Sequence, residues 1–259
     1  MEDRVAFCLT DTIDFPSVFF GAMKIGAVAI PLNTLLTTHD YDYMLRDSRA
    51  HTLVVSESLY ETFAPILDGQ PHLKQVIVAG SSDVRPRLSD LVEAASAELA
   101  CAPTTADDVG FWLYTSGSTG NPKGSMHLHS DLVHTVALYG IAVLGIEPDD
   151  VVFSAAKLFF AYGLGNGMSF PFYVGATAVL MAERPTPDAV LDVLRRHEPT
   201  IYYGVPTLYG AILADPDNDR RRSSPRLRRC VSAGEALPEG VGRAWDCLLY
   251  TSDAADDCE

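Results

Sequence analysis

Tyr114-Thr115-Ser116-Gly117-Ser118-Thr119-Gly120-Asn121-Pro122-Lys123-Gly124 follows directly on an apolar, strand-like run at residues 110–113. Its three glycines, Gly117, Gly120 and Gly124, admit backbone conformations closed to other residues and let N–H groups converge on one point. Thr115, Ser116, Ser118 and Thr119 add four hydroxyl donors, and Lys123 adds a movable positive charge. A loop of this composition, set between a strand and a helix, reads as a phosphate cradle. A flexible Ser/Gly surface turn would account neither for the lysine nor for the apolar strand before it. Lysine is scarce in this chain, occurring only at Lys24, Lys74, Lys123 and Lys157, so its presence here carries weight. An ordinary P-loop is disfavoured. That pattern needs Gly-Lys followed by Ser or Thr to hold magnesium, whereas Lys123 lies between Pro122 and Gly124.

Outward from the loop, short β-branched runs alternate with amphipathic stretches, the signature of an α/β architecture with mostly parallel sheets and helices on both faces. Strands are expected at 27–30, 52–55, 75–78, 111–115, 151–154, 176–180, 200–203 and 229–232. Helices are expected at 15–25, capped by Asp14 and stopped by Gly26, and at 39–47, capped by Thr38. Further helices are expected at 88–97, at 131–144 after a Ser130 cap, at 187–196 and at 206–213. Residues 98–108 and 215–225 read as surface loops.

The 259 residues are 47% hydrophobic and 20% charged, which suits a globular protein with a substantial core. A formal net charge of −15 disfavours a general partnership with nucleic acid or anionic membrane, and an anionic ligand would need a local positive site. Cys8, Cys101, Cys230, Cys247 and Cys258 show no metal-ligand spacing and read as free thiols of a reducing compartment. The start carries no secretory pattern, and the longest apolar run, 168–182, is interrupted by Pro171 and Gly175 and is too short to span a bilayer. A cytoplasmic location is the expectation.

The order Thr-Ser-Gly-Ser-Thr-Gly-x-Pro-Lys-Gly at 115–124 resembles the signature loop of the adenylate-forming superfamily of acyl- and aryl-CoA ligases, luciferases and adenylation domains. Other stretches are similar to the same family: Gly21 to Asn33 to its early helix–strand, Tyr203-Gly204-Val205-Pro206-Thr207 to a later strand-to-helix turn, and Ser232 to Pro238 to its adenine-side segment. Phe153 to Gly167 and Val179 to Pro187 resemble the benzoate–CoA ligase group in particular.

The resemblance implies an incomplete large N-terminal domain of the adenylate-forming fold over residues 1–246. It implies ATP, Mg2+ and CoA, with a small aromatic carboxylate as partner: the acid attacks the α-phosphate to give an acyl-adenylate, and CoA then displaces AMP. Thr115, Ser116, Gly117, Ser118, Thr119, Gly120, Lys123 and Gly124 would hold the phosphates. Lys123 would balance the leaving pyrophosphate, and Gly234, Glu235 and Ala236 would border the adenine. Ala161, Tyr162 and Gly163 would shape the acid pocket, Tyr162 offering a ring face; the alternative is that it packs the core. Phe159 and Phe160 are expected to be core residues. No metal ligand is named by the sequence. Residues 247–259 resemble nothing in the family and read as a foreign tail; a C-terminal small domain is absent from the pattern. The alternatives are a ligase for another acid and a non-catalytic nucleotide-binding module.

Other features read as ordinary. His127 and His129 would share a strand face, but with no third ligand nearby they read as polar positions. The arginines at 220–222, 226, 228 and 229 read as a solvated basic loop, and Asp107-Asp108 and Asp149-Asp150 as turn acids.

Overall fold

The computed structural model describes residues 2–115, 120–215 and 223–249, the last three by backbone alone. Ser116, Gly117, Ser118 and Thr119, the arginines at 220–222 and most of the expected tail lie outside the described residues. The chain divides into two units, Met1–Leu132 and Val133–Glu259.

In the first unit β1 (Arg4–Cys8), β2 (Val28–Pro31), β3 (Thr52–Ser56), β4 (Gln75–Ala79), β5 (Val109–Thr115) and β6 (Lys123–Leu128) form one sheet, ordered β4-β3-β1-β2-β5-β6. Its pairs are parallel except the last, β5 with β6, which is antiparallel. Successive strand residues point to opposite faces, and β1 uses both. Phe7 meets Phe15 and Phe19 of α1 (Asp14–Lys24) at ring-centroid distances of 5.1 and 6.5 Å. Ala6 and Cys8 join a buried cluster with Tyr41, Met44 and Leu45 of α2 (Thr38–Ser48) and Phe63 of α3 (Tyr60–Phe63). Tyr41 stacks on Phe63 at 4.2 Å and donates from its phenol to the Asn33 carbonyl at 2.7 Å. Burial pushes the Cys8 thiol up to about 12, so it packs as an inert apolar group.

Local chemistry moves several expected boundaries. Asp14 is the first residue of α1, not its cap; its amide is met by Thr12 Oγ1 at 3.3 Å. Thr37 caps α2 in place of Thr38, because only Thr37 closes the reciprocal pair with Asp40: Asp40 N donates to Thr37 Oγ1 and Thr37 N to Asp40 Oδ2. Gly26, at φ 73°, ends α1 as its sequence position suggests. The helix α4 (Leu88–Ala94) is one turn shorter than expected. β1 and β6 are strands that the sequence reading left unmarked.

In the second unit β7 (Val151–Ser154), β8 (Thr177–Val179), β9 (Ile201–Gly204) and β10 (Arg229–Ser232) form a parallel sheet in the order β10-β9-β7-β8. Ser130 lies inside α5 (His129–Thr135), which spans the division between units, rather than capping it. α5 continues as a π-helical turn, Val136–Ile141. A second π turn, Gly165–Ser169, joins α6 (Ala161–Leu164) to α7 (Phe170–Val174). Glycine permits the contact between them: a Cβ on Gly140 would stand 3.2 Å from the Phe170 ring. α8 (Pro187–His197) starts from a Thr186 cap with proline in its first turn, and α9 (Pro206–Leu213) matches its expected span. α10 (Glu239–Leu249) crosses the boundary expected at 246/247.

Candidate functional site

The expected phosphate loop joins two antiparallel strands, not a strand and a helix. Thr115 pairs with Lys123, Tyr114 with Gly124 and Trp112 with Met126, and the helix begins only at His129. Bulk explains this register. The Trp112 and Tyr114 rings lie across Gly124, where a Cβ would come within 3.1 Å of Trp112. Tyr114 ties the hairpin to α2 by donating to Asp47 Oδ2 at 2.7 Å. At the mouth, Thr115 and Lys123 are both exposed, the Thr115 hydroxyl donating to the Lys123 carbonyl at 3.5 Å. Gly120 stands at φ 139°, a conformation that favours glycine. The hairpin therefore presents an exposed hydroxyl, a movable ammonium and a strained-turn glycine around its tip, a donor set suited to polyphosphate.

The second unit carries the other expected residues. Ala161, exposed, and Tyr162, half-buried, open α6. The Tyr162 phenol is near the Gly204 and Val231 carbonyls, at 3.2 and 3.1 Å, and its ring meets Tyr203 edge-on at 6.2 Å. Burial raises its pKa, so it remains a neutral donor. Gly163 is buried because nothing larger fits: a Cβ would stand 2.1 Å from the Lys157 carbonyl. Gly234, at φ 95°, starts an exposed segment with Glu235 and Ala236 between β10 and α10. Tyr162 and the adenine-side segment thus meet through Val231, three residues before Gly234. The hairpin belongs to the first unit.

Several expectations are corrected. Phe159 is buried, but Phe160 is 48% exposed and packs on Phe159 from outside. His127 and His129 do not share a strand face, since only His127 lies on β6; it stacks on Phe111 at 4.7 Å and lies 3.3 Å from Asp131. Asp150 closes the turn before β7, its amide donating to the Glu147 carbonyl at 3.1 Å, but it is more than a turn acid. It is 4% exposed and receives Arg228 Nε at 2.8 Å, Thr200 Oγ1 at 2.7 Å and the Glu147 amide at 2.8 Å. Burial raises its pKa, but the hydrogen bonds of Arg228 and Thr200 outweigh it and hold the carboxyl below its ordinary value. Arg228 is accordingly a structural partner rather than part of a solvated loop. Lys157 likewise clamps backbone, donating to Met181 O at 2.5 Å and Glu183 O at 2.6 Å. Apart from the Glu147 amide, these partners lie 24 to 78 residues apart in sequence, and no local pattern announces them. Among the described residues no three His, Cys, Asp or Glu gather as a metal site, and no helix is long and apolar enough to cross a membrane.

Residues 1–252 match the AMP-binding enzyme family. The benzoate–CoA ligase of Thauera aromatica is 59% identical over 94% of this chain and 46% of its own length. The 4-hydroxybenzoate–CoA/benzoate–CoA ligase of Rhodopseudomonas palustris is 47% identical over 94% of this chain and 45% of its own. A crystal structure of a benzoate CoA ligase from Burkholderia xenovorans LB400 superposes with a TM-score of 0.87 at 44% identity, over 95% of this chain and 48% of that one. The anthranilate CoA ligase AuaEII in complex with anthranoyl-AMP superposes with a TM-score of 0.93 at 36% identity, over 96% and 48%. The chain spans about half the length of the curated relatives it matches. With the α/β fold and the Gly/Ser/Thr-lysine hairpin beside these matches, the chain belongs to the AMP-binding enzyme family.

Proposed function

We propose that this chain is part of an ATP-dependent aromatic carboxylate–CoA ligase acting on benzoate or a substituted benzoate, in the cytoplasm. The observation that carries this reading is the 59% identity to a benzoate–CoA ligase across 94% of the chain. In the first step the carboxylate attacks the α-phosphate of ATP, giving acyl-adenylate and pyrophosphate. In the second, the CoA thiol attacks the acyl carbon and AMP leaves. Transfer at phosphorus depends on alignment and charge compensation more than on covalent help from the protein. The hairpin from Thr115 through Gly124 would grip the β- and γ-phosphates, Lys123 compensating charge on the departing pyrophosphate. Gly234, Glu235 and Ala236 would border the adenine, and Ala161, Tyr162 and Gly163 the acid. Magnesium would arrive with the nucleotide; no residue of this chain is assigned to it. Taken alone, the chain is expected to bind ATP weakly and to turn nothing over.

The superposition with the anthranilate ligase supports an aminobenzoate as the second reading. A non-catalytic nucleotide-binding module is the other alternative. The test is thioester formation by a completed ligase, meaning this chain continued by the second half of the Thauera aromatica relative. Benzoate, hydroxybenzoates and anthranilate are offered with ATP and CoA. Benzoyl-CoA as the preferred product supports the proposal; preference for anthranilate selects the second reading; no thioester from any acid contradicts both.

A further inference from the structure

We propose that Tyr209 is the positioning residue for the adenine-side segment Gly234-Glu235-Ala236, an assignment that rests on the ligase reading above. Tyr209 lies on α9 and is 2% exposed. Its phenol donates to the Val231 carbonyl at 2.9 Å, on the strand that leads into Gly234. Its ring meets Trp245 edge-on, with centroids 4.3 Å apart, on the helix that leads out of the segment. One side chain therefore touches both flanks of a segment that is itself exposed and carries a left-handed glycine at φ 95°.

The tyrosine is itself held in place. Its ring lies on the backbone of Gly204, where a Cβ would come within 2.9 Å of it, and edge-on to Tyr202 at 5.5 Å. Burial raises the phenol pKa, which keeps the proton on the oxygen and the donor in service. Tyr162 also reaches Val231 O, at 3.1 Å, but it lies on α6 and shows no ring contact with Trp245 among the described residues. Among the described residues, Tyr209 is the side chain that both hydrogen-bonds to the Val231 carbonyl and meets the Trp245 ring.

Tyr202 supplies a matched control. It belongs to the same aromatic cluster, stacked on Trp245 at 5.8 Å, and its buried hydroxyl has no hydrogen-bond partner among the described residues. Tyr209→Phe and Tyr202→Phe each remove one buried hydroxyl while keeping the ring. Only the first removes a hydrogen bond to the Val231 carbonyl, which keeps the one from Tyr162.

The experiment is steady-state kinetics of the completed ligase and of these two variants, with ATP and benzoate varied separately and thermal melts recorded alongside. Tyr209→Phe is expected to raise KM for ATP about tenfold, the scale of one lost hydrogen bond, with KM for benzoate and kcat within about twofold. Tyr202→Phe is expected to match the parent throughout. Trp245→Phe, which loosens the other flank, should raise KM for ATP in the same selective way. An unchanged KM for ATP in Tyr209→Phe overturns the assignment. So does an equal effect of Tyr202→Phe, a uniform loss of all parameters, or failure of Tyr209→Phe to fold where Tyr202→Phe folds. If the parent itself adenylates no aromatic acid, the ligase reading fails and takes this assignment with it; if the parent turns over, only the role of Tyr209 is at stake.

Discussion

Lys123 stands opposite Thr115 at the mouth of the β5–β6 hairpin, exposed and flanked by glycine. The proposed role as phosphate counter-charge predicts that Lys123→Ala in the completed ligase lowers kcat for adenylation by about 10²- to 10³-fold, as loss of one preorganised donor does elsewhere. Lys123→Arg should recover part of it. Pyrophosphate release measured with saturating benzoate checks this, and an unaffected rate would remove Lys123 from the mechanism. This residue was legible because its neighbours in sequence are its neighbours in space. Asp150 was not, since Arg228 and Thr200 reach it from 78 and 50 positions away. Its lowered pKa sets a pH dependence. The stabilisation it gives is complete above the ordinary carboxyl value and is lost as pH falls through the lower folded value. Asp150→Asn should therefore flatten the acid limb of stability and cost about 2–3 kcal/mol at neutral pH, the buried-pair figure reduced for the partial exposure of Arg228. Urea melts from about pH 3 to 7 would measure it; an unaltered acid limb would count against the pairing.

At the level of elements, capping chemistry and hydrophobic periodicity located α2, α8, α9 and the parallel strands β7 and β10 well, because each is written in a contiguous stretch. β6 escaped because Lys123-Gly124-Ser125-Met126 has little β propensity of its own; its strand form comes from lying beneath the rings of Trp112 and Tyr114. The π turns escaped for a similar reason: packing of Phe170 against Gly140 and Gly165 decides them, not periodicity. The Thr37–Asp40 box was displaced by one residue, since two adjacent threonines offer the same hydroxyl and only backbone geometry chooses between them. Thr37→Ala should destabilise the chain by about 1 kcal/mol, while Thr38→Ala loses no cap. Thr38 Oγ1 donates instead to the Thr62 carbonyl at 2.8 Å, so the denaturant melt of Thr37→Ala decides it: no loss there would reverse the assignment.

Over the whole molecule, fold class followed from alternating strand and helix patterns, and family membership from the hairpin together with the matches along its length. The division into two units was not foreseen, because both are built from the same alternation and no composition change marks residue 133. The second unit displays large exposed apolar side chains on consecutive turns, Leu138, Ile141 and Val143, together with Phe172 and Tyr173. Such a surface favours self-association of the chain on its own. Sedimentation velocity should show a mass that grows with concentration; a monomer with one sharp melt would contradict this. The central claim, the proposal that the ligase of which this chain is part activates an aromatic acid, is tested most directly by benzoate-dependent exchange of labelled pyrophosphate into ATP in the completed ligase without CoA. Exchange that requires benzoate is the predicted result. Nucleotide binding with no exchange for benzoate, hydroxybenzoate or anthranilate would contradict it and leave a nucleotide-binding module in its place.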